Sequence, residues 1–242
     1  MIPRTVSDYR YDYRRREISP FYSGWLHLGF TSSVCLGVLA LALLSLHRVA
    51  PWELLIVVAT FLYANTVEYL LHRFPMHRRF DPLRILHTRH TLQHHRFFTS
   101  RAMSYETSRD FKMVMFPPTM VVLFVVTALP AWYLIGLLAS GNASWLFLAT
   151  AVGYFLSYEL LHFAYHLPED SFIARLPFMA ALRRHHTAHH DVKLMSLYNF
   201  NVTFPICDRL FGTIATIAEP KRRTKGARRP AAVPELSRVA SR

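Results

Sequence analysis

Four segments of this chain are too long and too free of charge to face water. Residues 25–46 and 113–138 contain no charged side chain, residues 52–71 contain only Glu53 and Glu68, and residues 143–161 only Glu159. Each runs for about 19 to 26 residues, enough for a helix to cross a hydrocarbon core of roughly 30 Å. Long helices inside a soluble bundle would carry a polar face, and these do not. Backbone groups in lipid must bond within their own segment, so the expected fold is all-α: four transmembrane helices arranged as two hairpins, with the polar segments folded as a helical cap at the membrane surface.

The basic residues orient this bundle. The net charge is +13, and every Lys and Arg except Arg48 falls before the first span, between the second and third, or after the fourth. By the positive-inside rule those segments, and both termini, are expected on the cytoplasmic side of a bacterial inner membrane or the endoplasmic reticulum. The short connections near His47 and Asn142 are expected outside. Arg14, Arg15 and Arg16 and the basic tail flank membrane segments, where anionic headgroups are nearer partners than nucleic acid, so no nucleic-acid role is expected. Residues 1–24 read as a polar cytoplasmic arm, 25–217 as the membrane domain and 218–242 as a basic, disordered tail. The first apolar stretch is too long for a cleavable signal sequence and reads as a signal anchor. Cys35 lies inside a span and Cys207 on the reducing side, so neither a disulfide nor a cysteine metal motif is expected.

Twelve of the fourteen histidines are concentrated just behind hydrophobic stretches, in HRFPMH (72–77), HTRHTLQHH (87–95), HFAYH (162–166) and HHTAHH (185–190). Imidazoles three and four residues apart on a helix share a face, where one cation can collect them. His72 and His162 each lie about 30 Å along their helices at a rise of roughly 1.5 Å per residue, which places the clusters at the inner membrane boundary. The two halves are alike: each second span ends in a Glu followed closely by a histidine pair. Pro75 is expected to kink or end the second helix. Asp81 and Pro82 signal a new helix with His87, His90 and His94 on one face, and Pro177 can open another carrying His185 to His190. A closed structural zinc takes four ligands, whereas at least ten imidazoles are present here. Shared by two metals, they leave a coordination position for a small molecule, which suits redox-active iron binding dioxygen; zinc can fill such a site but cannot activate oxygen.

The ordered set HRFPMH, HTLQHH, HFAYH and HHTAHH on four spans, with EYLLHR before the first and FPICDRLFGT after the last, resembles the fatty acid hydroxylase and sterol desaturase superfamily of integral-membrane di-iron oxygenases. Within it the chain is most similar to fatty acid 2-hydroxylases, in the HRFPMH spacing, the FPP at 116–118 and the Tyr158-Glu159 pair. The resemblance implies two iron ions held by His72, His77, His90, His94, His95, His162, His166, His186, His189 and His190. HTLQHH carries one residue more than the HxxHH those enzymes usually show, so His87 competes with His90, and His185 with His186. His27 and His47 stand alone and read as interfacial residues rather than ligands.

Glu68 and Glu159, near the inner ends of spans, are expected to accept hydrogen bonds from ligand imidazoles. Asp191 and Asp208 have the same chemistry available, and Tyr158, Tyr165 and Asn199 stand where they can orient a substrate. The resulting expectation is an O2-dependent hydroxylase acting on an alkyl C–H near the polar end of a fatty acyl chain or lipid. No flavin or dinucleotide fingerprint is present, so electrons are expected from an external ferredoxin or cytochrome b5-type donor on the basic face. Desaturation, or hydroxylation of a sterol, carotenoid or headgroup, uses the same metal chemistry. A histidine-rich metal transporter would place its ligands near the midplane, and a haem carrier would need histidine pairs facing each other within the bilayer.

Overall fold

The computed structural model describes residues 5–216. The tail of 218–242, expected to be disordered, lies outside them. Its helices are α1 (Val6–Glu17), α2 (Gly24–Leu44), α3 (Leu54–Leu71), α4 (Arg84–His87), α5 (His95–Phe97), α6 (Phe111–Val114), α7 (Pro118–Leu138), α8 (Gly141–Tyr165), α9 (Pro177–His189) and α10 (Ile206–Leu210). Among the described residues there is no strand. Four helical segments are long and apolar enough to cross a membrane, built on α2, α3, α7 and α8. The third apolar segment is broken near its start: α6 ends at Val114, and α7 begins only at Pro118, after the Pro117-Pro118 pair fixes an extended backbone.

Helix α8 is the axis of the bundle and packs against α2, α3 and α7. Small residues at Ala143, Ser144 and Ala151 are buried, which lets neighbouring backbones approach. Between α2, α7 and α8 lie Cys35, Val121, Leu148, Val152 and Leu156. At the end opposite the histidines the two hairpin connections are tied together. Glu53 accepts bonds from the Ala50 N–H, the Ser140 hydroxyl and Asn142, while Asn142 exchanges two bonds with the backbone of His47. His47 is exposed. His27 is instead buried: the Tyr22 hydroxyl donates to its Nδ1 (2.7 Å), and its Nε2–H donates to the Phe116 carbonyl (2.8 Å). It ties the start of α2 to the start of α7 rather than facing the interface. Gly24 is required there, because a Cβ would come within 1.9 Å of the Ser108 carbonyl.

The N-terminal arm is folded. Thr5 and Asp8 form a reciprocal cap at the start of α1, and Arg14, Arg15 and Arg16 favour its C-terminal end. Arg10, 3% exposed, donates to the carbonyls of Phe97 (2.8 Å) and Ala102 (2.7 Å) and pairs with Glu106. Arg14 pairs with Asp110 and Glu106, so unlike the exposed Arg15 and Arg16 it is held internally rather than at lipid headgroups. The arm thus straps the segment that follows His94 and His95. Asp110 is fully buried and also accepts the Glu106 and Thr107 N–H groups. Asp110→Ala leaves Arg14 with only the half-exposed Glu106 and frees the Glu106 and Thr107 N–H groups, and losing the buried partner of such a pair costs on the order of 3 kcal/mol of local stability. Tryptic cleavage within α1 is therefore expected to accelerate roughly 100-fold, read by limited proteolysis; unchanged cleavage would show that these ion pairs do not hold the arm.

Candidate metal centre

Two departures from α-helical geometry set the site. Around Pro75, where the helix is expected to kink or end, the α-helix gives way to a π-helical turn over His72–Met76 and stops there, and a second π-helical segment covers Thr88–His94. A π turn bonds residue i to i+5, so it brings together side chains five apart. His72 and His77 share one cluster for this reason, as do His90 and His95. The α-helical expectation of a common face for His87, His90 and His94 is therefore corrected: His90 and His94 enter different clusters, and His87 enters neither.

Ten imidazoles gather in two nests. His72, His77, His90, His95 and His189 form the first, and His94, His162, His166, His186 and His190 the second. Ordinary α-helical spacing supplies His162 with His166 on α8, and His186 with His190 at the end of α9. The consecutive pairs His94-His95 and His189-His190 each place one residue in either nest. The His95 and His190 rings stack with centroids 4.3 Å apart, so the nests are immediate neighbours. Apart from the partly exposed His90, all these residues are buried.

The donor atoms face one another as a cation requires. In the first nest the Nε2 atoms lie 2.8 Å (His72–His90), 2.9 Å (His77–His189), 3.1 Å (His77–His90), 3.1 Å (His90–His95) and 3.2 Å (His72–His77) apart. In the second they lie 3.0 Å (His186–His190), 3.2 Å (His94–His190) and 3.4 Å (His166–His186) apart. Five of the other ring nitrogens donate their protons to backbone carbonyls: His72 to Phe200, His94 to Met113 (2.7 Å), His166 to Met103 (2.7 Å), His189 to Tyr198 (3.0 Å) and His190 to Phe98 (2.7 Å). The Thr91 hydroxyl donates to the Met76 carbonyl, leaving its oxygen to accept from His77 Nδ1 (3.2 Å). With Nδ1 protonated, Nε2 carries a lone pair.

Converging lone pairs repel unless something positive lies between them. Burial first, and then neighbouring imidazoles, hold His77, His90, His95, His186 and His189 well below the ordinary imidazole range, so they are neutral donors. For metal–nitrogen bonds of about 2.1 Å, adjacent donors of an octahedron lie roughly 3.0 Å apart. These separations fit such a donor set, and each nest can hold a metal ion.

Carbonyls, rather than carboxylates, orient most of these imidazoles. Glu68 was expected to accept from a ligand histidine but accepts instead from the backbone N–H groups of Val202 and Thr203 and the hydroxyls of Thr203 and Tyr154. Glu159 likewise touches no imidazole: one oxygen accepts the Phe116 N–H (3.3 Å), while the other has no partner among the described residues. Asp208, fully buried, accepts from the Phe200 and Asn201 N–H groups, the Thr213 hydroxyl and His185. That contact keeps His185 outside both nests. Tyr165 donates to the Val202 carbonyl, Asn199 bonds the backbone of His185 and Ala215, and Asp191 caps the turn at Lys193.

An apolar cavity of about 150 Å³ reaches both nests. His90 of the first and His94 and His162 of the second line it, together with Tyr158 and a flexible wall of Met76, Met113, Met115 and Met120. Tyr158 stacks on Phe116, with centroids 5.3 Å apart.

A membrane bundle that closes an apolar cavity over two polyhistidine nests defines a class, the integral-membrane histidine-rich metal proteins. The profile of the fatty acid hydroxylase family matches residues 57–213, and the chain belongs to that family. Among solved structures it is similar to full-length Scs7p, of which only the hydroxylase domain is visible, with 23% identity over 80% of this chain and 67% of that one and a TM-score of 0.53. That similarity bears on the fold. No curated protein sequence matches the chain at a significant level.

Proposed function

We propose that the chain is a di-iron oxygenase that hydroxylates an alkyl C–H of a fatty acyl chain or lipid close to its polar end. The observation that carries this reading is the apolar cavity walled by histidines of both nests. Two irons bound by the ten histidines would supply the reductive activation of dioxygen. Five nitrogen donors per nest exceed the four of a closed structural zinc site and leave room for a small ligand.

The chain's own groups position and exclude. Proton-donating Nδ1 atoms keep the Nε2 lone pairs aimed inward, the methionine wall keeps water from the reacting carbon, and Glu159 holds Phe116 in the cavity wall beside Tyr158. In balance, R–H, O2, two electrons and two protons give R–OH and water. The electrons come from an external ferredoxin or cytochrome b5-type protein docked on the basic face, and the distribution of Lys and Arg supports a cytoplasmic side for that face and for both termini. The catalytic unit is residues 25–217.

Purified protein in lipid nanodiscs, loaded with iron and supplied with acyl lipid, reductant and heavy-isotope dioxygen, is expected to yield a hydroxylated product carrying one labelled oxygen. Product formed equally without oxygen, or labelled only from water, would exclude the assignment.

A further inference from the structure

Arg89 lines the cavity and directly precedes His90 of the first nest. Other partly or fully buried arginines of the cap have their guanidinium groups occupied: Arg10 and Arg14 by Glu106 and Asp110, Arg109 by the carbonyls of Arg14, Ile18 and Ser19, and Arg73 by the Tyr69 hydroxyl. Among the described residues Arg89 forms no ion pair, and its guanidinium makes only a long bond of 3.4 Å to the Lys112 carbonyl. It is partly buried. The neighbouring walls, Ile85, Leu86, Met113 and Met120, are apolar. A guanidinium in such surroundings, with no carboxylate of its own, is costly unless an anion arrives to share its donors. Arginine offers a planar fork that matches two oxygens of an anionic group.

We propose that Arg89 is the headgroup anchor of this cavity: it binds an anionic head of an acyl amphiphile, a carboxylate or a phosphate, while the chain lies along the methionine wall. Because Arg89 and His90 are consecutive, an anchored head brings the first carbons of the chain to the nests, and the anchor is what selects carbons near the head for oxidation. The inference rests on the reading of the cavity as an acyl site. It makes the anionic amphiphile the substrate class and Arg89 the specificity-determining residue.

Binding tests this independently of turnover. Full-length protein in neutral phosphatidylcholine nanodiscs is titrated with a fluorescent C18 polyene carboxylic acid and with its primary amide, which has the same chain and no charge. Wild type is expected to bind the acid about tenfold more tightly than the amide. Arg89→Met is expected to bring that ratio to about one by weakening the acid alone, Arg89→Lys to restore part of it, and Arg175→Met, at an exposed site, to leave it unchanged. Metal content equal to wild type in Arg89→Met shows that its neighbour His90 is still in place.

Competition by palmitic acid and by phosphatidic acid identifies the source of the head: the better displacer of the fluorescent acid carries the physiological anion, and either result upholds the anchor. Equal binding of acid and amide by wild type, a ratio unaltered in Arg89→Met, or no saturable binding of either probe overturns it. Discrimination by Arg89 without any hydroxylated product would leave the anchor standing and remove the oxygenase reading instead.

Discussion

His77→Ala and His166→Ala are each expected to abolish product formation while emptying different nests. His77 contributes to the first nest alone and His166 to the second. Removing a group that merely orients a ligand costs 10- to 100-fold in metal affinity or activity, so loss of a ligand itself should exceed about 100-fold. Elemental analysis of purified, iron-loaded variants is expected to show about one metal per chain fewer than wild type in each, with membrane insertion intact because neither residue lies among the lipid-facing positions of the spans. His94→Ala should behave as His166→Ala does. Loss of both metals from either variant would mean that the nests form one cooperative site. Retained turnover in both would refute the dimetal assignment.

The separation of the nests depends on features that the sequence displays in part. Charge-free stretches reveal the bundle because lipid leaves the backbone few alternatives to a helix. The pairs His162/His166 and His186/His190 are legible because α-helical spacing holds there. The spacing of five in His72/His77 and His90/His95 is also visible, but it points to a common cluster only if the helix opens into a π turn, and Pro75 read as a kink or helix end conceals that. Proline can sit in such a turn because the widened backbone does not ask for its missing N–H at the usual position. The proton acceptors for the ligand rings are mostly carbonyls of Phe98, Met103, Met113, Tyr198 and Phe200, which any residue supplies, so no side-chain pattern announces them. Acidic residues near the spans invite the wrong pairing for that reason. Nor does the polar composition of residues 1–24 reveal that Arg10 and Arg14 meet partners some 90 positions away, at Phe97, Glu106 and Asp110. Composition reports how polar a segment is and leaves open which distant backbone it will bind.

Glu68→Gln is expected to lower metal retention in the first nest by 10- to 100-fold without touching a ligand. Both oxygens of Glu68 accept only: Oε1 from the Val202 and Thr203 N–H groups, Oε2 from the Thr203 and Tyr154 hydroxyls. An amide replaces one acceptor with an NH2 group: turned toward Val202 and Thr203 it faces two N–H donors, and turned toward the hydroxyls it makes them accept, which leaves a proton of the Tyr154–Thr203 hydroxyl pair, where Tyr154 already receives Asn65 Nδ2–H, without an acceptor. An unsatisfied buried group of this kind costs about 1–3 kcal/mol. The strain falls on the loop that carries Phe200, whose carbonyl receives the His72 Nδ1 proton, and Asp208 grips the same loop from its other side through the Phe200 and Asn201 N–H groups. His72 belongs to the first nest, whereas the rings oriented by Met103, Met113 and Phe98 belong to the second and do not depend on this loop. Titration with a chelator should therefore strip one metal per chain from Glu68→Gln well before the other, alongside a lowered melting temperature. A lowered melting temperature with wild-type chelator resistance at both metals would make Glu68 a packing residue only. Selective loss at the first nest would establish that a carboxylate two bonds removed from the imidazole sets its aim through the backbone.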